Sequence, residues 1–367
     1  MAKKSTNEEV KDTIMGVRQT DSRGVLRIST GSTLADIVVG AGRGLGFETG
    51  EVVLLESQSG AGKTMLGHHI VASAFHAHKK QYPGKFKQRY VDRENGATFD
   101  SVEQFGLEIV PKDITKRAKP ETIQDQYADA MIFGESLKAD EYGVYVVDSI
   151  SSFFDEKGKE RAEDRVAAYS RDREYEEKTM GMEMAKFLSG TYFKGICSMV
   201  ETKNILYVVI AQYRQKQLPS GGTYLDLQNG EALKYYAGTR FKVTVAEDIK
   251  VKGRQVGAVL KMETRKARGP WPYRSCFVTL YYDYGIDNTT SNLDYLYDWR
   301  TATGQLAKSA EKPAMWDGIE MKREDMVRFI EDNNLEAELD ARVISKWNEE
   351  EKQAQYLTAG RKKKFGE

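Results

Sequence analysis

One stretch constrains the chain more than any other: Glu51-Val-Val-Leu-Leu-Glu-Ser-Gln-Ser-Gly-Ala-Gly-Lys-Thr64. Val52 to Leu55 form an apolar β-type run, which breaks into a turn of small residues. Gly62-Lys63-Thr64 then open a helix running through Leu66, Ile70 and Ala74. A strand, a small-residue loop and a helix N-terminus make an anion cradle. The first helical N–H groups have no partner inside the helix, and the helix dipole favours negative charge there. In such a loop Lys63 reaches the outer phosphates of a nucleotide, and the Thr64 hydroxyl ligates Mg²⁺. Ser57, Gln58, Ser59, Gly60, Ala61, Gly62 and Met65 complete the expected phosphate-binding set. One position departs from the pattern, because Ser57 stands where these loops carry their first glycine. A left-handed backbone there would cost serine on the order of 1 kcal/mol relative to glycine.

The rest of the chain supplies a sheet for this loop to sit on. Arg89 to Asn95 reads as a short strand ending in acidic residues, Val144 to Ser149 as an apolar strand closed by Asp148, and Leu206 to Gln212 as a third. Helical patterns near 99–106, 125–133 and 181–200 alternate with them, which indicates an α/β fold with a mostly parallel central sheet flanked by helices. Ligands in such sheets gather at the C-terminal strand ends, where Glu94, Asp148 and Gln212 are placed. From Arg240 onward the pattern turns to β, with strands near 241–246, 256–264 and 276–282. Turns at Gly253 and Gly269-Pro270 make them an antiparallel extension. Beyond Asn288 the text is helical and charged, near 293–303, 323–333 and 336–356. The expected division is an N-terminal arm over 1–25, a core over 26–288, and a small helical domain over 289–367 with a basic tail, Arg361 to Lys364. Two segments stand apart from this plan. Residues 155–179 are dense in both signs of charge and read as a solvated helix laced with ion pairs. Residues 213–229 are polar and contain Gly221-Gly222, which reads as a long loop, mobile when empty.

At 367 residues there is room for a large domain and a smaller one. The charge balance, 55 basic against 55 acidic residues, gives no general attraction to nucleic acid, so any basic surface must be local. Cys197 and Cys276 match no metal spacing and are expected as free thiols in a reducing cytoplasm. His68, His69, His76 and His78 cluster on or just after the loop helix without acidic or cysteine partners, and no metal site is expected there. No apolar run is long enough to suggest a membrane segment.

Two further stretches carry a family resemblance. Ile28 to Gly42 (Ile-Ser-Thr-Gly-Ser-Thr-Leu-Ala-Asp-Ile-Val-Val-Gly-Ala-Gly) resembles the opening segment of the RecA family of ATP-dependent DNA strand-exchange proteins. Asn229 to Arg240 (Asn-Gly-Glu-Ala-Leu-Lys-Tyr-Tyr-Ala-Gly-Thr-Arg) resembles the helix and strand after that family's second DNA-binding loop. The similarity runs in order from Leu26 to Asp287, and looks closer to the phage, UvsX-like branch than to bacterial RecA. The resemblance implies that Glu94 is the catalytic glutamate that polarises the attacking water, and that Asp148 holds Mg²⁺ through water. It implies that Gln212 senses the γ-phosphate, and that Lys266 acts in trans on a neighbour's nucleotide. The family's second trans lysine is replaced here by Thr264, with Arg265 or Arg268 as stand-ins. Residues 155–182 and 213–230 match the DNA-contacting loops: Arg214 and Lys216 foremost, then Gly221, Gly222, Thr223 and Tyr224, with Arg171 and Arg173 from the first loop. The implied assembly is a helical filament on single-stranded DNA that pairs it with duplex DNA, with ATP and Mg²⁺ held between protomers. The N-terminal arm and Tyr235 fall at protomer contacts, and a loader and a single-strand-binding protein are possible further partners. Two other readings share the nucleotide loop: a hexameric helicase-type motor, and a weakly hydrolysing mediator, which Ser57 and Thr264 would favour.

Overall fold

The computed structural model describes residues 25–81, 83–117, 119–171, 183–217, 221–227, 230–355 and 361. Most of the expected N-terminal arm, Arg173, and the basic tail after Arg361 lie outside the described residues.

In chain order the elements are β1 (Arg27–Ile28), α1 (Thr33–Gly40), β2 (Phe47–Glu48), β3 (Glu51–Ser57), α2 (Lys63–Gln81), β4 (Phe86–Asp92), α3 (Ser101–Phe105), α4 (Ile123–Glu135) and β5 (Tyr142–Asp148). There follow α5 (Glu156–Tyr169), α6 (Glu183–Phe187), α7 (Phe193–Thr202), β6 (Asn204–Gln217), β7 (Thr223–Leu227), α8 (Gly230–Tyr236), β8 (Thr239–Val251), β9 (Arg254–Lys266) and β10 (Ser275–Tyr281). The chain closes with β11 (Gly285–Asp287), α9 (Asn288–Leu296), β12 (Ala314–Trp316), β13 (Ile319–Met321), α10 (Arg323–Asp332) and α11 (Glu336–Ala354).

The central sheet has nine strands in the order β11-β10-β9-β8-β3-β6-β5-β4, with β7 paired to β6 off this path. Strands β8, β3, β6, β5 and β4 are mutually parallel, and β9 to β11 extend them antiparallel, as the sequence pattern implies. Every residue of β3 and β5 is buried, which is why both read as nearly continuous apolar runs. Their side chains alternate between two cores. Val53 and Leu55 join Leu66 and Ile70 of α2 on one face, whereas Val52 and Leu54 join Ile196 and Val200 of α7 on the other. Helices on both faces make a three-layer α/β fold, with β3 at its centre.

The segment after Asn288 contributes Leu293, Trp299, Trp316, Met326, Leu339, Val343 and Trp347 to the same core as α2. Asp340 of α11 accepts hydrogen bonds from Thr33 of α1 (2.8 Å), Asn288 (3.2 Å) and Asn292 (2.6 Å). Two local expectations need correction. The helix expected over 293–303 runs instead over Asn288–Leu296, because Asp287 caps it by accepting from the Thr290 amide at 2.8 Å. The segment expected as a long loop over 213–229 is largely a β-hairpin: β6 continues to Gln217 and pairs antiparallel with β7. Gly221, with φ 90°, occupies the backbone region glycine tolerates best. Of the charged segment expected as a helix over 155–179, α5 forms Glu156–Tyr169 with no buried residue, capped by the Asp155 carboxylate accepting from the Gly158 amide at 2.6 Å, while residues 172–179 lie outside the described residues.

Candidate nucleotide-binding active site

At the C-terminal end of β3 the chain leaves the sheet and enters α2. Ser57 is the last strand residue, paired with Gln212 of β6 and Val243 of β8. The left-handed positions in the turn are Gly60 (φ 77°) and Gly62 (φ 76°), and Ser57 is not among the positive-φ residues. The strain expected at Ser57 therefore does not arise: the serine belongs to the strand, and the two glycines turn the loop. Its hydroxyl donates to the Gln58 carbonyl at 2.6 Å, and Lys63 Nζ donates to the same oxygen at 2.9 Å. Gln58, Ser59 and Gly60 are exposed at the loop's crest, while Ala61, Lys63 and Met65 are buried beneath it. Burial pulls the Lys63 ammonium below its ordinary value, opposed by the charges of Asp148 and Glu94. An anion above the loop would reverse that shift.

Asp148 ends β5 and is 1% exposed. One carboxylate oxygen accepts from the Thr64 hydroxyl at 2.7 Å and from the Tyr90 hydroxyl at 2.9 Å. Burial pushes this acid up to about 6, against the pull of those two donors. Among the described residues no group of three or more His, Cys, Asp or Glu side chains is assembled to hold a metal. A hydroxyl and a single carboxylate fit Mg²⁺, which keeps several waters and takes its remaining ligands from substrate phosphates.

Glu94 lies two residues past the end of β4 rather than on the strand itself. Gln212 Nε2 donates to its two oxygens at 2.9 and 2.8 Å, Ser152 Oγ donates at 3.0 Å, and the Ser149 hydroxyl donates as well. The turn that sets Glu94 off the strand is pinned by Asp92, which accepts from the Gly96 and Ala97 amides at 3.0 and 3.1 Å. Sequence reasoning did not single out Tyr90, Ser149 or Ser152. Tyr90 looks like any core strand residue, although Ser149, directly after Asp148, and Ser152, four residues on, could have been tied to it by position.

The remaining candidates divide. Gln212 sits where β6 stops pairing with β3, and the hairpin begins at the next residue. Within the hairpin Arg214 opposes Asp226, and position 216 opposes Tyr224. Arg214, Gly221, Gly222, Thr223 and Tyr224 are exposed, as is Arg171 in the turn after α5. Lys266 ends β9 and donates to the carbonyls of Tyr235 (2.8 Å) and Lys234 (3.3 Å) at the end of α8. Its recorded bonds are thus to α8 and not to the Glu94 cluster of its own protomer. Burial, with Arg268 and Arg240 nearby, pulls its ammonium below the ordinary value. Thr264 is buried in the sheet, with its amide on the Arg274 carbonyl at 3.0 Å. Arg265 pairs with Glu263 at 2.7 Å.

The family model described as the RecA N-terminal domain matches residues 3–287. Protein RecA of Lactobacillus acidophilus is 26% identical over 330 residues, covering 88% of this chain and 80% of the relative. Protein RecA of Levilactobacillus brevis is 26% identical over 349 residues, covering 93% and 82%. Protein RecA of Mesoplasma florum is 24% identical over 273 residues, covering 74% and 73%. These relatives speak for the family and not for a phage branch within it. With the family model matched over most of its length, the chain belongs to the RecA family of recombinases.

Proposed function

We propose that the chain is a DNA-dependent ATPase that polymerises on single-stranded DNA and exchanges strands with a homologous duplex. The observation that supports this best is the double hydrogen bond from Gln212 to Glu94 at the root of the exposed hairpin. It joins a carboxylate suited to orienting water with a segment suited to touching DNA.

On this reading ATP brings the transferable phosphoryl group and Mg²⁺ the charge that neutralises it. The loop amides from Ser59 to Thr64 and the Lys63 ammonium hold the phosphates, while Thr64 and Asp148 hold the hydrated metal. Glu94 accepts a proton from the attacking water. Gln212 releases or keeps Glu94 according to what occupies the site, and its neighbour Tyr213 carries that difference into the hairpin. Arg214 and Lys216 neutralise DNA phosphates, and Tyr224 offers a ring for stacking. Lys266 leaves the α8 carbonyls to complete a neighbour's site, as an arginine finger does. The proposed division is an arm over 1–25 for polymerisation, a core over 26–288, and a smaller C-terminal unit over 289–367. In the cell we place the protein in the cytoplasm; among the described residues no helix is long and apolar enough to cross a membrane.

The test is ATP hydrolysis with and without single-stranded DNA, followed by a strand-exchange assay. DNA stimulation together with exchange is expected, and no stimulation would refute the proposal. Closed hexamers without helical filaments in micrographs would favour the ring-motor reading. A weakly hydrolysing mediator is favoured by Thr264, which is buried and bonded within the sheet and can supply no second cation. Slow hydrolysis with intact DNA binding would support that alternative.

A further inference from the structure

The strand that ends in the nucleotide loop carries an acid inside its apolar run. Glu56, one residue before Ser57, is fully buried at the centre of the sheet, between Ala211 of β6 and Lys242 of β8. A carboxylate there is tolerable only with strong partners. Arg240 supplies two, its Nε donating to one oxygen and its Nη2 to the other at 3.1 Å. The third donor is the Tyr213 hydroxyl.

The position of Tyr213 makes this more than a satisfied charge. The pairing of β6 with β3 ends at Ser57↔Gln212, and the pairing of β6 with β7 begins at Tyr213↔Leu227. Tyr213 is therefore the hinge residue between sheet and hairpin. Arg240 lies on the far side of the same excursion, where the chain has passed through β7 and α8 and re-entered the sheet opposite Leu54. One carboxylate on the nucleotide-loop strand thus holds both roots of the segment 213–240. The Tyr213 ring is half-buried and covered by Lys242 Nζ, 5.7 Å from the ring centre. A tilt of the hairpin must either carry Gln212 with it or break the bond to Glu56.

We propose that Glu56 is a positioning residue that couples the nucleotide state to the DNA affinity of the hairpin, acting through Tyr213. The proposal rests on the ATPase reading above and names how its two halves communicate. If the pair were merely structural, removing the Tyr213 hydroxyl would lower stability and leave the coupling alone.

The experiment is Tyr213→Phe, which keeps the ring and deletes one donor. Affinity for a fluorescent oligothymidine is measured in the presence of a non-hydrolysable ATP analogue and in the presence of ADP, and thermal unfolding checks that the variant is folded. In the wild type the two affinities are expected to differ by about 10-fold or more, an ordinary allosteric ratio. In Tyr213→Phe the ratio is expected to fall to within about 3-fold of unity. Glu56→Gln is expected to do the same, and the double variant to add nothing further, because both changes break one link. A folded Tyr213→Phe protein that keeps the wild-type ratio overturns the proposal while leaving the ATPase reading intact. A wild-type protein without ATP hydrolysis and without nucleotide-dependent DNA affinity overturns both.

Discussion

Replacing Ser57 by glycine restores the residue that nucleotide loops of this type usually carry, yet the geometry here argues that the change is harmful to stability and neutral to binding. Ser57 is fully buried, ends β3, and pairs on both sides, with Gln212 and Val243. Its backbone is not left-handed, so glycine relieves no strain. Glycine in a strand costs about 0.5–1 kcal/mol in conformational entropy. Losing the hydroxyl bond to the Gln58 carbonyl costs about 0.5–1.5 kcal/mol more. That carbonyl keeps Lys63 as a partner, so no orphaned acceptor adds to the loss. The expected sum is about 1–2.5 kcal/mol of lost stability, read as a lowered urea midpoint at unchanged slope. Titration with a fluorescent ATP analogue should give a Kd within about 3-fold of wild type, since Gly60 and Gly62 already turn the loop. A Kd tightened about 10-fold, equivalent to about 1.4 kcal/mol, with stability retained, would show that Ser57 is strained and refute the reasoning.

Three other outcomes follow from the same structure. Glu94→Gln should lower ATP hydrolysis by about 10²–10⁴-fold while leaving nucleotide affinity within a few-fold, measured by phosphate release and by equilibrium titration. Asp36, held by Ser29 and Thr30, is pushed by burial from 3.8 up to about 6, so the folded protein takes up a proton between those values that the unfolded chain does not. Its contribution to stability is therefore least favourable above pH 6 and improves as pH falls toward 4, and Asp36→Asn should reduce the change in urea midpoint between pH 7 and pH 5. Gln126 is fully buried among Tyr145, Tyr192 and Tyr207, donating to Tyr207 at 2.9 Å and accepting from Tyr192. Gln126→Leu should cost about 1–3 kcal/mol in unfolding free energy, because the tyrosine hydroxyls lose a partner without regaining water.

The parallel sheet was legible because strands buried on both faces must be apolar at every position, and Val52–Leu55, Val144–Val147 and Leu206–Ala211 have no other reading. The hairpin was not, because Tyr213 to Gln217 and Thr223 to Leu227 are mostly polar and project from the sheet, so no buried face imposes a two-residue period. Glu94, Asp148 and Gln212 could be placed at one end of the sheet from sequence, but their mutual bonds could not. The Gln212–Glu94 pair depends on the two-residue offset of Glu94 from β4, set by the local turn at Asp92. Glu56 escaped notice for the opposite reason. An acid in an apolar run reads as an interruption until the partners, 157 and 184 residues away, are known. The start of α9 was hidden by Asn288-Thr-Thr-Ser, weak helix formers of which Thr289, Thr290 and Ser291 are buried and satisfied only in three dimensions.

The hairpin also bears on the speed of whatever it binds. Five register pairs, from Tyr213↔Leu227 to Gln217↔Thr223, fix its two strands as part of the fold. Ordering a residue's backbone costs about 1–2 kcal/mol, and for these residues that loss is incurred when the protein folds, not when a strand of DNA arrives. On the proposed reading, capture by this ribbon is governed by encounter and by the salt that screens Arg214, with no folding step in series. Its on-rate should fall steeply with ionic strength and hardly at all with osmolytes that favour compact chains.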